Sequence, residues 1–321
     1  MCRWAALYLV VVTFFSLRLF GGDSPPDVSR LLKRATRGNS DAQFNLGLAY
    51  ETGRWLAQDF AEAARWYQKA AAVGSANAQL HLGNLYAEGK GVAHDEATAL
   101  RWYLRAAVQG HPAAQTNVGC MYFDGKAGLQ RDYTEASLWF AKAAAQQSPR
   151  AEANLASLYL RGLGVPRDAA HAAALYLAAA KQGNLPAQTM IAWMYAHGLG
   201  LRQDLAQSLK WNRAATQQSY PLALNNLGYL YEQGLGVPRD VAQAATFYRR
   251  AAELGLPEAQ HNLAVLRSQG KGLPESGEDE ARWPAEGPSR GPGNHSETVQ
   301  SGGEIPMGSS REVGAFGNER P

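Results

Sequence analysis

Tyrosines at positions 50, 86, 122, 159, 195 and 231 divide this chain into lines of 36 residues, with one step of 37. Self-similarity at such a period belongs to architectures in which one small unit is stacked many times, so it restricts the fold before any composition is considered. The same period governs the loops. "GLGVPRD" occurs at Gly162–Asp168 and again at Gly234–Asp240, and "GLGLRQD" occupies Gly198–Asp204. The one extra residue falls in "GKAGLQRD", Gly125–Asp132, a loop where an insertion is cheap. A glycine-rich turn before a helix has the local chemistry of a phosphate cradle. A single ligand site needs no copies, however, so these loops read as joints: the glycines end one helix, Pro166 restricts the linker and Asp168 caps the next helix.

Each line predicts two helices. The first, helix A, is seen in "AQFNLGLAYETG" (Ala42–Gly53), "AQLHLGNLYAEG" (Ala78–Gly89) and "ALNNLGYLYEQG" (Ala223–Gly234). Small or apolar residues at offsets 0, 4, 7 and 8, such as Ala42, Leu46, Ala49 and Tyr50, form one helical stripe. A glycine at 53, 89, 125, 162, 198, 234 or 270 closes it in the left-handed conformation. Helix B follows through Asp59, Asp95, Asp132, Asp168, Asp204 or Asp240, with Glu62, Glu135, Gln207 and Gln243 spaced to complete a capping box. It carries aromatic pairs, Trp66-Tyr67, Trp102-Tyr103, Trp139-Phe140 and Phe247-Tyr248, with Leu175-Tyr176 and Trp211-Asn212 as variants. Alanines 70, 106, 143, 179, 215 and 251 follow four residues after the first member. Large residues set against small ones suit interdigitated helix pairs, so the aromatics read as core.

The pattern A-x-x-x-L-G-x-x-Y-x-x-G, a loop with Asp, then W-Y-x-x-A-A, resembles the Sel1-like repeat, a relative of the tetratricopeptide repeat. The resemblance covers residues 27–270 and implies an all-α, right-handed superhelical solenoid of antiparallel helix pairs. Six full repeats are expected. "SRLLKRATRG" (Ser29–Gly38) reads as an isolated helix B at the start, and "AQHNLAVLRSQG" (Ala259–Gly270) as an isolated helix A at the end, with Arg267 in the tyrosine position as a polar cap.

The flanks differ from the repeats. Residues 1–26 place one arginine before the largely apolar run Trp4–Leu17, the pattern of a secretory signal. Its 14 residues fall short of the ~20 of a membrane span. Phe20 is bulky for a cleavage site after Gly22, which leaves an uncleaved N-terminal anchor as the alternative. Residues 271–321 are rich in glycine, proline, serine and charge and read as a disordered tail. The formal charge of +3, with +1 before residue 27 and −4 after residue 270, leaves +6 spread over the repeats. That is a solvated surface without the clustering of a nucleic-acid footprint.

Catalytic signatures are weak. "GPSRG" (Gly287–Gly291) spells a nucleophile elbow inside the tail, and "SQGK" (Ser268–Lys271) spells S-x-x-K across a glycine, so both read as chance. The seven histidines contain no H-x-x-x-H pair, and Cys120 is the one cysteine outside the leader, read as a semi-buried packing residue. No nucleophile, metal cluster or cofactor is expected. Some bacterial Sel1-like proteins are associated with β-lactam hydrolysis, but they carry repeat cysteines that this chain lacks.

The related tetratricopeptide fold lines its groove with helix A. By that resemblance a partner site would draw on Leu80, Asn84, Glu88, Phe123, Asp124, Leu160, Arg161, Trp193, His197, Asn225, Tyr229, Glu232 and Gln233, with Phe44, Leu48, Glu51, Thr116, Cys120, Ser157 and Thr189 at matching offsets. Aromatic anchors beside amides suit a peptide or protein partner. The expectation is an exported, monomeric, non-catalytic adaptor, in a bacterial envelope or alternatively in a eukaryotic secretory lumen, where Asn294-His295-Ser296 could be glycosylated. A secreted hydrolase is the rival.

Overall fold

The computed structural model describes residues 27–270, and among them the chain is helical throughout, with no strand. The expected leader and tail, with the tail motifs, lie outside the described residues. B helices are odd-numbered: α1 (Val28–Thr36), α3 (Phe60–Ala72), α5 (Glu96–Val108), α7 (Tyr133–Ala144), α9 (Ala169–Lys181), α11 (Leu205–Thr216) and α13 (Val241–Glu253). A helices are even-numbered: α2 (Ser40–Thr52), α4 (Ala76–Glu88), α6 (Pro112–Asp124), α8 (Pro149–Arg161), α10 (Leu185–His197), α12 (Pro221–Gln233) and α14 (Pro257–Ser268). They fall into two compact units, α1–α9 and α10–α14, divided between Gln182 and Gly183. Within each unit an A helix packs on the B helix that follows it, and that B helix on the next A helix.

The joints behave as read. Gly89, with φ of 66°, ends α4 in the left-handed region, and Gly53, Gly125, Gly162, Gly198 and Gly234 repeat that conformation. Asp59 accepts from the N–H groups of Ala61 and Glu62, and each equivalent aspartate caps its own B helix. The second loop glycine answers to a tight approach. A Cβ on Gly91 would lie 2.2 Å from the carbonyl carbon of Phe60, and one on Gly164 would lie 2.2 Å from that of Tyr133. Both loops therefore lie on the first turn of the preceding B helix, and the third repeat fills this position with Ala127, at φ of 59°. In the first repeat the same position is Trp55, at φ of 68°. There α1 begins four residues later in register than the other B helices, and the abutting turn has no counterpart among the described residues.

Two expectations are corrected. The capping box is only half made, because the N–H of Asp59 donates to the Tyr50 carbonyl at 3.0 Å and leaves nothing for Glu62 to accept. Asp95, Asp132, Asp168, Asp204 and Asp240 make the same bond to Tyr86, Tyr122, Tyr159, Tyr195 and Tyr231. This bond closes every A-to-B loop. Second, the two members of an aromatic pair are unequal in every pair but Trp66-Tyr67, where both are buried. Tyr67, Tyr103, Phe140, Tyr176 and Tyr248 are buried, whereas Trp102 and Trp139 are half-buried. Trp66, Trp102 and Trp139 each lie beneath a cation one turn on, Lys69, Arg105 and Lys142.

The buried ring explains the glycine at the middle of four A helices. Cβ atoms on Gly47, Gly83, Gly119 and Gly228 would stand 2.6–2.7 Å from the rings of Tyr67, Tyr103, Phe140 and Tyr248. In the fifth repeat the corresponding pair is Ala192 and Asn212, with the ring gone. The fourth keeps both a methyl and a ring, Ala156 and Tyr176.

Candidate functional site on the A helices

The hydroxyls of Tyr67, Tyr103 and Tyr248 reach polar groups on the A helices and organise them, whereas that of Tyr176 stays buried. In the first unit, Glu51 on α2 accepts hydrogen bonds from the Tyr67 hydroxyl and from His81 Nδ1, the latter at 2.8 Å. Phe44 packs on both rings, with centroids 5.7 Å from Tyr67 and 5.4 Å from His81. Burial pushes the Glu51 carboxyl up, and its hydrogen bond and charge interaction with His81, with the Tyr67 hydroxyl, outweigh this and hold it below the ordinary carboxylate value. The Tyr67 phenol moves well upward, through burial and then the Glu51 charge beside it.

A second network continues across α4, α6 and α8. Tyr103 donates to Asn84 Oδ1 at 2.8 Å, and Asn117 donates to the same oxygen at 3.4 Å. Arg150 donates to Asn117 Oδ1 at 2.9 Å and reaches the Cys120 sulfur, to which Asn154 also donates. Cys120 is buried, more deeply than expected. The second unit repeats the theme. Tyr248 donates to Glu232 at 2.8 Å, and Asn262 donates to Asn225 at 2.9 Å.

The remaining expected residues divide by exposure. Leu80, Leu160 and Asn225 are buried, as are Thr116, Ser157 and Thr189, so they pack the stack. Phe123 is half-buried, edge-on to Tyr133 at 5.3 Å, and Asp124 beside it and Leu48 are half-buried too. Glu88 pairs with Lys90 at 2.6 Å, and Arg161 is exposed at the end of α8. In the second unit Trp193 is half-buried against His197, with its Nε1 buried and without a hydrogen-bond partner. Tyr229, 38% exposed, and Gln233 face solvent. Surface available to a partner in the first unit thus centres on half-buried polar groups, and in the second on Tyr229, His197 and Gln233.

His81, Asn117, Arg150 and Asn154 were absent from the expected set. A signal existed for all but Arg150: the offset-3 column of the A helices reads Asn45, His81, Asn117, Asn154, Met190, Asn226 and Asn262. A polar column beside an apolar stripe binds repeat to repeat. So does a second one at offset 1. Gln43, Gln79 and Gln115 donate to the carbonyls of Ala35, Ala71 and Ala107 at the ends of the preceding B helices. Among the described residues, no group of three or more His, Cys, Asp and Glu is placed to hold a metal, and no helix is long and apolar enough to cross a membrane.

The Sel1 repeat model matches the chain seven times, at residues 40–75, 76–111, 112–148, 149–184, 185–220, 221–256 and 257–283. Among solved structures, the chain is similar to a protective antigen of uropathogenic Escherichia coli that displays an SLR fold. Identity is 35% and the TM-score 0.69, over 86% of this chain and 59% of that one. It therefore spans less than two thirds of the length of that protein. A Sel1 repeat protein from Oxalobacter formigenes is 31% identical, with a TM-score of 0.62 over 67% of this chain and 86% of that one. No curated protein matches. With matched repeats running from residue 40 to residue 283, the chain belongs to the Sel1 repeat family.

Proposed function

We propose that the protein is an exported, non-catalytic adaptor of a bacterial envelope that holds a protein or peptide partner on the A-helix faces of its repeats. One observation carries this reading. Residues that build the stack recur from line to line, whereas two A-helix positions beside them differ from repeat to repeat: Leu48, Asn84, Cys120, Ser157, Trp193 and Tyr229 at one, and Asp41, Asn77, Ala113, Arg150, Pro186 and Leu222 at the other. Variation on a constant frame is what a unique recognition surface requires, and repeat stacks use such extended surfaces for binding. Donors and acceptors already fixed by neighbours are preorganised, which lowers the entropic cost of binding.

Export rests on the leader pattern of residues 1–26. The similar E. coli protein is a protective antigen, a description that suits a protein reached from outside the cell.

Binding is tested with Arg150→Glu and Tyr229→Ala against Lys210→Glu, which lies on the exposed side of α11. Either A-helix change should weaken the native partner by about tenfold or more, and Lys210→Glu should not. Binding sensitive only to Lys210→Glu removes the A helices as the site. Export is tested by fusing an alkaline phosphatase reporter after residue 40, active only where disulfides form. An inactive reporter overturns the envelope assignment.

A further inference from the structure

The last described helix, α14, does not leave its outer face to water. Ala264 occupies the position at which Gly47, Gly83, Gly119 and Gly228 meet the ring of the B helix that follows. It is 4% exposed, although no described element follows α14.

The sequence just beyond supplies an occupant. Gly234, Gly236, Pro238, Asp240, Gln243 and Phe247 have counterparts 36 residues on in Gly270, Gly272, Pro274, Ser276, Asp279 and Trp283. Serine caps a helix about as well as aspartate, and Asp279 would bring negative charge to the first turn. The last matched repeat also ends at residue 283. In the sixth repeat Tyr231 stacks on Phe247, with centroids 5.6 Å apart at 29°. The same two places in the seventh hold Arg267 and Trp283, a pairing suited to a cation–π contact. Where Tyr248 would recur stands Pro284, which has no N–H and ends a helix. The ring that demands glycine is then missing, in keeping with alanine at position 264.

We propose that the outer face of α14 is the docking site of this chain's own segment 271–284, which completes a truncated seventh repeat with Trp283 lying over Arg267. The solenoid is thus closed by its own sequence, and the remainder of the tail begins after Pro284.

The test compares the full chain with chains ending at residue 284 and at residue 270, by thermal unfolding and hydrogen exchange. The 284 form should melt with the full chain. The 270 form should melt about 4 °C lower or more, with α14 amides exchanging about tenfold faster. Trp283→Ser in the full chain should reproduce the loss and Trp283→Phe should recover most of it, which decides the question even if the 270 form does not fold. Equal melting and exchange for the full chain and Trp283→Ser overturns the proposal. So does a full chain that sediments as a dimer and loses α14 protection on dilution, since a second copy would then be the cover.

Discussion

Gly119→Ala isolates the contact that sets the spacing of a helix pair. The added methyl would lie 2.6 Å from Phe140 Cε1, 2.7 Å from Cδ1 and 3.2 Å from Cζ. Carbon atoms rest at about 3.5–4.0 Å, so α6 and α7 must separate by roughly 1 Å, or the ring must turn. Phe140 is fully buried and has no open side to move toward. Overpacking of this kind costs about 1–3 kcal/mol, and replacing a mid-helix glycine by alanine returns about 1 kcal/mol of helix propensity. Ala156 beside Tyr176 shows that a pair built with the methyl in place can hold it, which argues for the lower part of the range. The expected net loss is up to about 1 kcal/mol, a fall of up to roughly 4 °C in melting temperature. Urea unfolding followed by circular dichroism measures it. A double-mutant cycle with Phe140→Leu should show the two changes compensating, because removing the ring makes room for the methyl. A Gly119→Ala protein as stable as its parent, with no coupling to Phe140, would refute the packing argument.

Three further outcomes are expected. Tyr103→Ala should cost about 3–5 kcal/mol and Trp102→Ala clearly less, because the tyrosine is the buried member of that pair; equal losses in denaturant titrations would contradict the assignment. Gly164→Ala meets both a left-handed φ of 68° and the Tyr133 carbonyl carbon at 2.2 Å, so with Gly91→Ala it should be among the most damaging loop substitutions, read as faster hydrogen exchange in the first turn of α7. Glu51 titrates below its ordinary value, so the fold binds fewer protons there than the unfolded chain; its stabilisation is complete above the ordinary carboxylate range and is lost as pH falls below it. Glu51→Gln should therefore melt with a flatter acid limb than the parent, and superimposable acid limbs would show that the carboxylate contributes nothing.

Most of the frame could be read from the chain because repetition makes each local choice visible several times. Gly89, Asp95 and the Ala42–Leu46–Ala49 stripe obey short-range rules of capping and periodicity, and they took the places those rules assign. What escaped depended on partners far along the chain. Glu62 has the spacing of a capping-box residue, yet the Asp59 N–H is claimed by the Tyr50 carbonyl, a choice made by loop closure that side-chain patterns do not report. Trp102 and Tyr103 are adjacent aromatics in sequence, and only the packing of α4 against α5 decides which ring faces Gly83. On the A helices, apolar periodicity drew attention to Leu80 and Leu160, which are buried, and away from His81, Asn117 and Arg150, whose roles come from hydrogen bonds between repeats.

Site-specific photo-crosslinking tests the adaptor reading most directly. A photoreactive residue placed in turn at Asn84, Asn117 and Tyr229 on A helices, and at Arg65 and Lys210 on B helices, is irradiated in the native compartment. The account predicts one partner protein joined from A-helix positions and none from B-helix positions. The same partner joined from Arg65 and Lys210, with nothing joined from Asn84, Asn117 or Tyr229, would contradict it.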